Sequence, residues 1–177
     1  ETDRFERTRG LTRKEKRESI LYSEFERNLK KLSEQDLSGI AGLLSLLNHA
    51  LLQEYPAEYK ELRKSIFYNL ALIYKERGES RSSLFFLFSY YKLNPENINV
   101  ISEIAIMCRK EGLVEQALYF FHLAHSKDAS SSMKLIYLEQ IILMNFILDH
   151  YDTCLEKIAY IIRCNYKVAE MLEMKEY

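Results

Sequence analysis

A self-similar pattern with a period of 34 residues is the strongest constraint on the fold of this chain. Gly78 and Gly112 are 34 residues apart, and superposing the segments around them matches large, small and turn residues in order. The matched pairs are Phe67 with Ile101, Leu70 with Ile104, Ala71 with Ala105, Tyr74 with Cys108, Ser83 with Ala117, Leu87 with Phe121 and Pro95 with Ala129. A period of this length indicates stacked copies of one supersecondary unit.

The order of residue types within each copy predicts a pair of antiparallel helices. Each copy places a large apolar residue beside a small one, so that a second helix can pack closely on the first. A glycine then allows the first helix to end and the chain to turn. Pro95 suits the start of the next helix, because proline is tolerated in a first turn. The period and layout are those of tetratricopeptide (TPR) repeats, which predicts an all-α, TPR-like helical-hairpin solenoid.

Composition agrees with this fold class. The 177 residues include only 5 glycines and 2 prolines, whereas sheet folds need turn residues about every ten positions. Apolar residues make up 47% of the chain, which is enough to bury a core, and the length suits a single domain.

The repeat pattern divides the chain into a basic N-terminal arm and one repeat domain, with about three to four repeats and a C-terminal capping helix. A degenerate first repeat is expected upstream of the clear ones, with Ser33 and Asp36 resembling a capping box that opens a helix to about Tyr55. The predicted boundaries are 1–11 for the arm, 12–177 for the domain, 12–56, 57–97, 98–131 and 132–166 for the repeats, and 167–177 for the cap.

Positive charge is concentrated at the N-terminus. Residues 1–31 carry a net charge of +3, and the rest of the chain carries −4. This segment is interpreted either as a solvated helix face or as a contact for nucleic acid or an acidic partner. Its basic residues are Arg4, Arg7, Arg9, Arg13, Lys14, Lys16 and Arg17.

Catalytic, cofactor and metal motifs are not found in the sequence. His122 and His125 are three positions apart on one predicted helix, but no set of further ligands accompanies them. Cys108 and Cys154 occupy repeat slots that are expected to be buried. The three cysteines have no CxxC spacing, which favours a reducing compartment. We therefore expect a protein that is not an enzyme and that binds no cofactor or metal, and its apolar stretches are too short to span a membrane.

The concave surface of the repeats is the predicted binding site. In stacked helix pairs the first helices line a groove, and the residues that face it recur at fixed positions of each unit. Here the lining is apolar with a few polar points, which suits an amphipathic helix or an apolar peptide. The predicted partner-binding groove consists of Tyr68, Leu72, Lys75, Ser102, Ile106, Arg109, Glu139, Leu143 and Phe146.

The groove could have an occupant other than a separate partner, and one known type of ligand is not expected there. It could be filled by the N-terminal helix of the chain itself or by another part of a longer protein. TPR domains that hold the acidic C-terminal peptide of heat-shock chaperones place Lys and Asn at positions that Tyr68 and Leu72 occupy here. A carboxylate clamp is therefore not expected, although Lys75 and Arg109 could bind an acidic residue at one edge.

Two segments carry a resemblance to a known family over residues 61–177. They are ELRKSIFYNLALIYKERGESRSSLFFLFSYYKLNPENINV and YDTCLEKIAYIIRCNYKVAEMLEMKE, the second including Tyr-x-Thr-Cys-Leu at 151–155. They resemble the N-terminal repeats of the cabin family, the scaffold subunit of the HIR histone-chaperone complex. The resemblance implies a nuclear, non-catalytic scaffold for replication-independent nucleosome assembly, with HIR subunits or histones as partners. Alternatives are a generic TPR adaptor in another transcription, RNA-processing or trafficking complex, or an accessory repeat domain of a larger enzyme.

Overall fold

The backbone of residues 13–173 is described by a computed structural model, and it consists of helices joined by short turns. Over that range there are nine helices and no strand, which confirms the all-α prediction. The chain divides at Arg77 and Gly78 into two compact units, where the sequence predicts one domain over 12–177. That boundary falls at the turn inside the predicted repeat 57–97. The basic arm over 1–11, with Arg4, Arg7 and Arg9, lies outside the described residues.

The first unit contains four helices. They are α1 (Arg13–Ser33), α2 (Ser38–Leu47), α3 (Ala50–Glu54) and α4 (Lys60–Glu76). One apolar face of each is buried in the unit's core, which includes Leu21, Leu43, Leu46, Leu52, Leu62, Ile66 and Leu70.

Helices α1 and α2 approach each other closely at a glycine of α2, which has no side chain. A Cβ atom on Gly39 would lie only 2.6 Å from the backbone oxygen of Asn28, so any larger residue would force the helices apart. Asn28 is itself buried, although it is polar. The α1–α2 contact therefore depends on glycine for space.

The predicted helix from Ser33 to about Tyr55 is wrong in two places. Ser33 ends α1, and its hydroxyl donates a hydrogen bond to the Lys30 carbonyl at 2.6 Å instead of capping a new helix. Asp36 accepts from the Ser38 amide at 2.9 Å at the start of α2, and this bond holds the pKa of its carboxyl below the ordinary value. The chain breaks again at His49, whose Nδ1 atom accepts from the Leu51 amide at 3.3 Å and starts α3.

The second unit contains five helices. They are α5 (Ser80–Leu93), α6 (Ile98–Lys110), α7 (Val114–Lys127), α8 (Ser131–Ile147) and α9 (Tyr151–Glu173), and each packs on the next in chain order. Ser83 and Ala117, which occupy the small slots of the repeat pattern, are fully buried. Cys108 and Cys154 are buried as free thiols, which confirms their predicted place in the core.

The turns after α1, α4, α6 and α8 each contain one residue with a left-handed backbone conformation. Gly78 and Gly112 have φ angles of +75° and +73°, and the equivalent positions in the flanking hairpins are Gln35 at φ 62° and Asp149 at φ 59°. At Gly112 the amide donates to the Arg109 carbonyl at 3.1 Å, while the next amide, from Leu113, donates to Cys108 at 2.9 Å. This pair of bonds is the Schellman motif, which satisfies the last carbonyls of a helix.

The C-terminal helix differs from the prediction. A separate cap helix over 167–177 was expected after a repeat ending at 166, but α9 runs without a break from Tyr151 to Glu173. No glycine or proline occurs after Gly112, so the sequence contains no residue that would stop this helix at 166. Residues 174–177 lie outside the described range.

Candidate partner-binding groove

The nine predicted groove residues lie on three equivalent helices in two units. Tyr68, Leu72 and Lys75 are half-buried on α4 of the first unit. The other six lie on α6 and α8 of the second unit, where the geometry of the candidate site is defined. They are Ser102, Ile106, Arg109, Glu139, Leu143 and Phe146.

Each of the two helices of the second unit carries its three residues as one stripe. The spacing is four and then three positions, which places them on the same side of a helix. On α8 this stripe is solvent-exposed throughout and lies opposite the buried row that includes Ile141 and Met144. On α6, Ile106 is half-buried and Arg109 is exposed in the last turn. The surface therefore combines exposed apolar side chains with one positive and one negative charge.

A hydroxyl bridge joins α6 to α8 beside these stripes. The hydroxyl oxygens of Ser102 and Tyr137 lie 2.7 Å apart, and the Tyr137 hydroxyl also donates to the Asp128 carboxylate at 3.3 Å. Burial raises the pKa of the Tyr137 phenol, and the negative charge of Asp128 acts in the same direction. Tyr137 therefore stays protonated and can act as a donor throughout the physiological pH range.

The repeat pattern gave no role to Tyr137 and placed Ser102 on the groove surface alone. Ser102 is half-buried, and its hydroxyl also lies 2.9 Å from the Ile98 carbonyl, so much of its hydrogen-bonding capacity is used inside the unit. The hydrophobic spacing could not reveal this bridge, because it records which face of a helix is buried and not which hydroxyls meet. Ser102 positions α6 against α8 at one end of the stripe.

Phe146 lies at the opposite end of the α8 stripe. Its ring centroid is 5.6 Å from that of Tyr151, the first residue of α9, in an edge-to-face arrangement. Such aromatic pairs are more favourable than their buried area alone suggests. Phe146 remains exposed to solvent despite this contact.

The histidine pair is separate from these stripes and has cationic neighbours. His122 and His125 lie on α7, and partial burial holds the pKa of both imidazoles below the ordinary value. Lys157 lowers both pKa values further, and Lys134 lowers that of His125. Positive neighbours also disfavour a bound cation, and across the described residues there is no group of three or more side chains suited to hold a metal ion.

The described part of the basic segment is helical. Arg13 and Lys14 belong to the first turn of α1, and the side chains of Lys16 and Arg17 that follow are exposed. Within the part of the chain that the structure describes, no helix is long and apolar enough to cross a membrane.

Comparisons with known proteins give structural relatives alone. No family model matches the chain, and no curated protein sequence matches it. MamA AMB-1 superposes with a TM-score of 0.60 and 14% identity, covering 78% of this chain and 69% of the other. The C-terminal TPR-containing domain of a protein described as a Plasmodium falciparum FK506-binding protein superposes with a TM-score of 0.59 and 16% identity, covering 81% of this chain and 97% of the domain. At these identities the likeness concerns the fold, and the fold of this chain is a TPR-like helical-hairpin repeat.

Proposed function

We propose that this chain is a non-enzymatic repeat scaffold whose second unit binds a helical or extended apolar segment of another protein. The observation that carries the proposal is the α8 stripe, where Leu143 and Phe146 are exposed on the face that lines the groove of TPR-like hairpins. Covering a large apolar side chain is worth roughly 1.5–3 kcal/mol. Two such residues supply an apolar anchor of the kind that partner recognition requires.

The charged residues of the stripes give the bound segment a direction. Arg109 lies in the last turn of α6, and Glu139 lies one turn before Leu143 on α8. A segment with an acidic residue near Arg109 and a basic residue near Glu139 would satisfy both. Exposed charges of this kind contribute more to orientation and association rate than to affinity.

The test is a selection of peptides that bind the 177-residue chain, followed by affinity measurements on variants. We expect Leu143→Glu to weaken the selected peptides by roughly tenfold or more, because it places a charge in the apolar anchor. The matched control is Tyr119→Glu, which alters an exposed large side chain on α7 of the same unit. The groove would be refuted if Leu143→Glu bound the peptides as tightly as the wild type does. It would also be refuted if Leu143→Glu and Tyr119→Glu lost affinity equally. Far-UV circular dichroism should show unchanged helicity in each variant.

The resemblance over residues 61–177 supports a more specific form of this function. In that form the chain belongs to a nuclear scaffold that assembles a complex for replication-independent histone deposition, as implied for the cabin family. Affinity purification of the full-length protein should then recover HIR subunits or histones. Reproducible recovery of a different complex would assign the repeats to a generic adaptor, and detectable turnover would contradict the non-enzymatic function.

A further inference from the structure

Helix α9 has two apolar faces, of which only one is covered within the second unit. The covered face includes Cys154, whose thiol donates to the Ile142 carbonyl of α8 at 3.4 Å. A second face follows a spacing of four, three and four positions along the same helix. Its side chains are between 40% and 65% exposed, and they are Tyr151, Leu155, Ile158 and Ile162. We call these four residues the α9 stripe.

The preceding hairpin offers a comparison for this face, because its second helix, α7, has residues at equivalent positions. Counted from the left-handed turn residues Gly112 and Asp149, Leu155 is equivalent to Leu118 and Ile158 to Phe121. Phe121 is only 2% exposed and Leu118 is half-buried, in a helix that packs on the helix following it, α8. Among the described residues no helix follows α9. The α9 stripe is therefore exposed at positions whose equivalents in α7 belong to a helix that packs on its successor.

We propose that the α9 stripe binds the α9 stripe of a second copy of this chain in an antiparallel, two-fold symmetric pair. The spacing of four, three and four is that of helices which pack side by side along a continuous seam. In this register Tyr151 of each copy lies opposite Ile162 of the other, and Leu155 lies opposite Ile158. A two-fold interface of this kind joins the same patch on both subunits.

The flanking charges favour the antiparallel direction. Asp152 lies on one edge of the stripe at its start, and Arg163 lies on the same edge eleven positions later. A two-fold axis between antiparallel helices keeps this edge on the same side in both copies, so Asp152 of each copy faces Arg163 of the other. A parallel pair would place the charged edge of one copy against the opposite edge of its neighbour.

The available area is sufficient for a specific but weak dimer. The α9 stripe together with the adjoining Phe146 ring exposes on the order of 500 Å², so two copies would bury about 1,000 Å² in total, near the lower limit for specific interfaces. An interface of this size is expected to dissociate on dilution. We therefore expect monomers at about 1 µM and dimers at several hundred micromolar.

The experiment is sedimentation velocity on the 177-residue chain between about 1 and 500 µM. We expect a concentration-dependent dimer in the wild type and a monomer throughout in Leu155→Glu. Phe85→Glu, a change at an equally exposed residue on α5, is the control and should dimerise normally. If Leu155→Glu does not fold, as judged by circular dichroism, Ile162→Lys replaces it. A wild type that stays monomeric, or a Leu155→Glu variant that still dimerises, would overturn the proposal.

Charge reversal tests the direction of the pair. Asp152→Arg and Arg163→Asp should each weaken self-association by about three- to tenfold, because each places like charges together at both ends of the seam. Mixing the two variants should restore association, since a heterodimer then pairs opposite charges at both ends. Failure of the mixture to associate better than either variant alone would overturn the antiparallel arrangement. Raising the salt concentration should reduce the difference between variants and mixture.

Discussion

Replacing Gly112 by alanine should destabilise the protein even though alanine has room. Nothing lies within 4 Å of a Cβ built at this position, so the cost comes from the backbone angle of +73° alone. A side chain in the left-handed region costs about 1–2 kcal/mol. Alanine recovers about 0.4–1 kcal/mol by restricting the unfolded chain. The expected net loss is therefore about 1 kcal/mol, which corresponds to about 2–4 °C in the unfolding midpoint for a chain of this size.

Two companion variants separate backbone strain from steric effects. Gly112→Asn inserts a larger side chain that tolerates the left-handed region, so it should cost less than Gly112→Ala. Gln35→Gly removes a non-glycine residue from the equivalent position, where φ is 62°, and should stabilise the first unit by about 0.5–1 kcal/mol. Gly39→Ala provides the contrasting case, because its Cβ would collide with Asn28 and the cost is steric.

Urea unfolding followed by circular dichroism at 222 nm measures these differences, with each transition fitted separately if the two units unfold apart. A Gly112→Asn variant that is less stable than Gly112→Ala would refute the backbone explanation, because only crowding ranks the two residues in that order. An unchanged or lower stability of Gln35→Gly would refute it independently.

Two further predictions concern the thiols and imidazoles of the second unit. Burial raises the pKa of the Cys108 thiol to about 11. A thiol reagent at pH 8 should therefore label the exposed Cys164 rapidly and Cys108 only on unfolding, which mass spectrometry with and without urea would show. Rapid labelling of Cys108 in the native protein would contradict its burial. Because the pKa values of His122 and His125 are lowered on folding, the unfolded state binds more protons near pH 6, and stability should fall as the pH drops below about 6.5. The double variant with glutamine at both histidines should show a flatter dependence of unfolding free energy on pH, and an unchanged slope would count against the lowered pKa values.

The sequence predicts this fold well where residue type and backbone geometry coincide. Glycine is the residue best suited to a left-handed turn, so Gly78 and Gly112 mark two turns from their spacing alone. Gln35 and Asp149 take up the same conformation without being glycine, which is why the outer hairpins are harder to place. Asp149 also accepts a hydrogen bond from the Tyr151 hydroxyl at 2.6 Å, a contact that a repeat pattern does not encode.

The candidate site was less predictable than the fold. Repeat positions identify the exposed stripe on α8, because the period of a helix fixes which residues lie opposite the core. The same positions do not show that Ser102 is held by Tyr137, since that contact depends on the distance between two helices. Nor does a single period reveal the α9 stripe, because Ile158 occupies the slot of Phe121, which is buried in the preceding repeat. The exposure of the α9 stripe is seen only in the structure.

The groove and the α9 stripe are neighbouring surfaces that require different tests. The rings of Phe146 and Tyr151 touch, so a change at either would disturb both surfaces and could not assign an effect. Leu143 and Leu155 lie away from that contact on different helices, and both are exposed, so a charge at either should leave the core intact. If each surface has its own occupant, Leu143→Glu loses peptide binding and still dimerises, while Leu155→Glu does the reverse. Loss of both properties in each variant would mean that the two surfaces form one site, because only a shared occupant would respond to both changes.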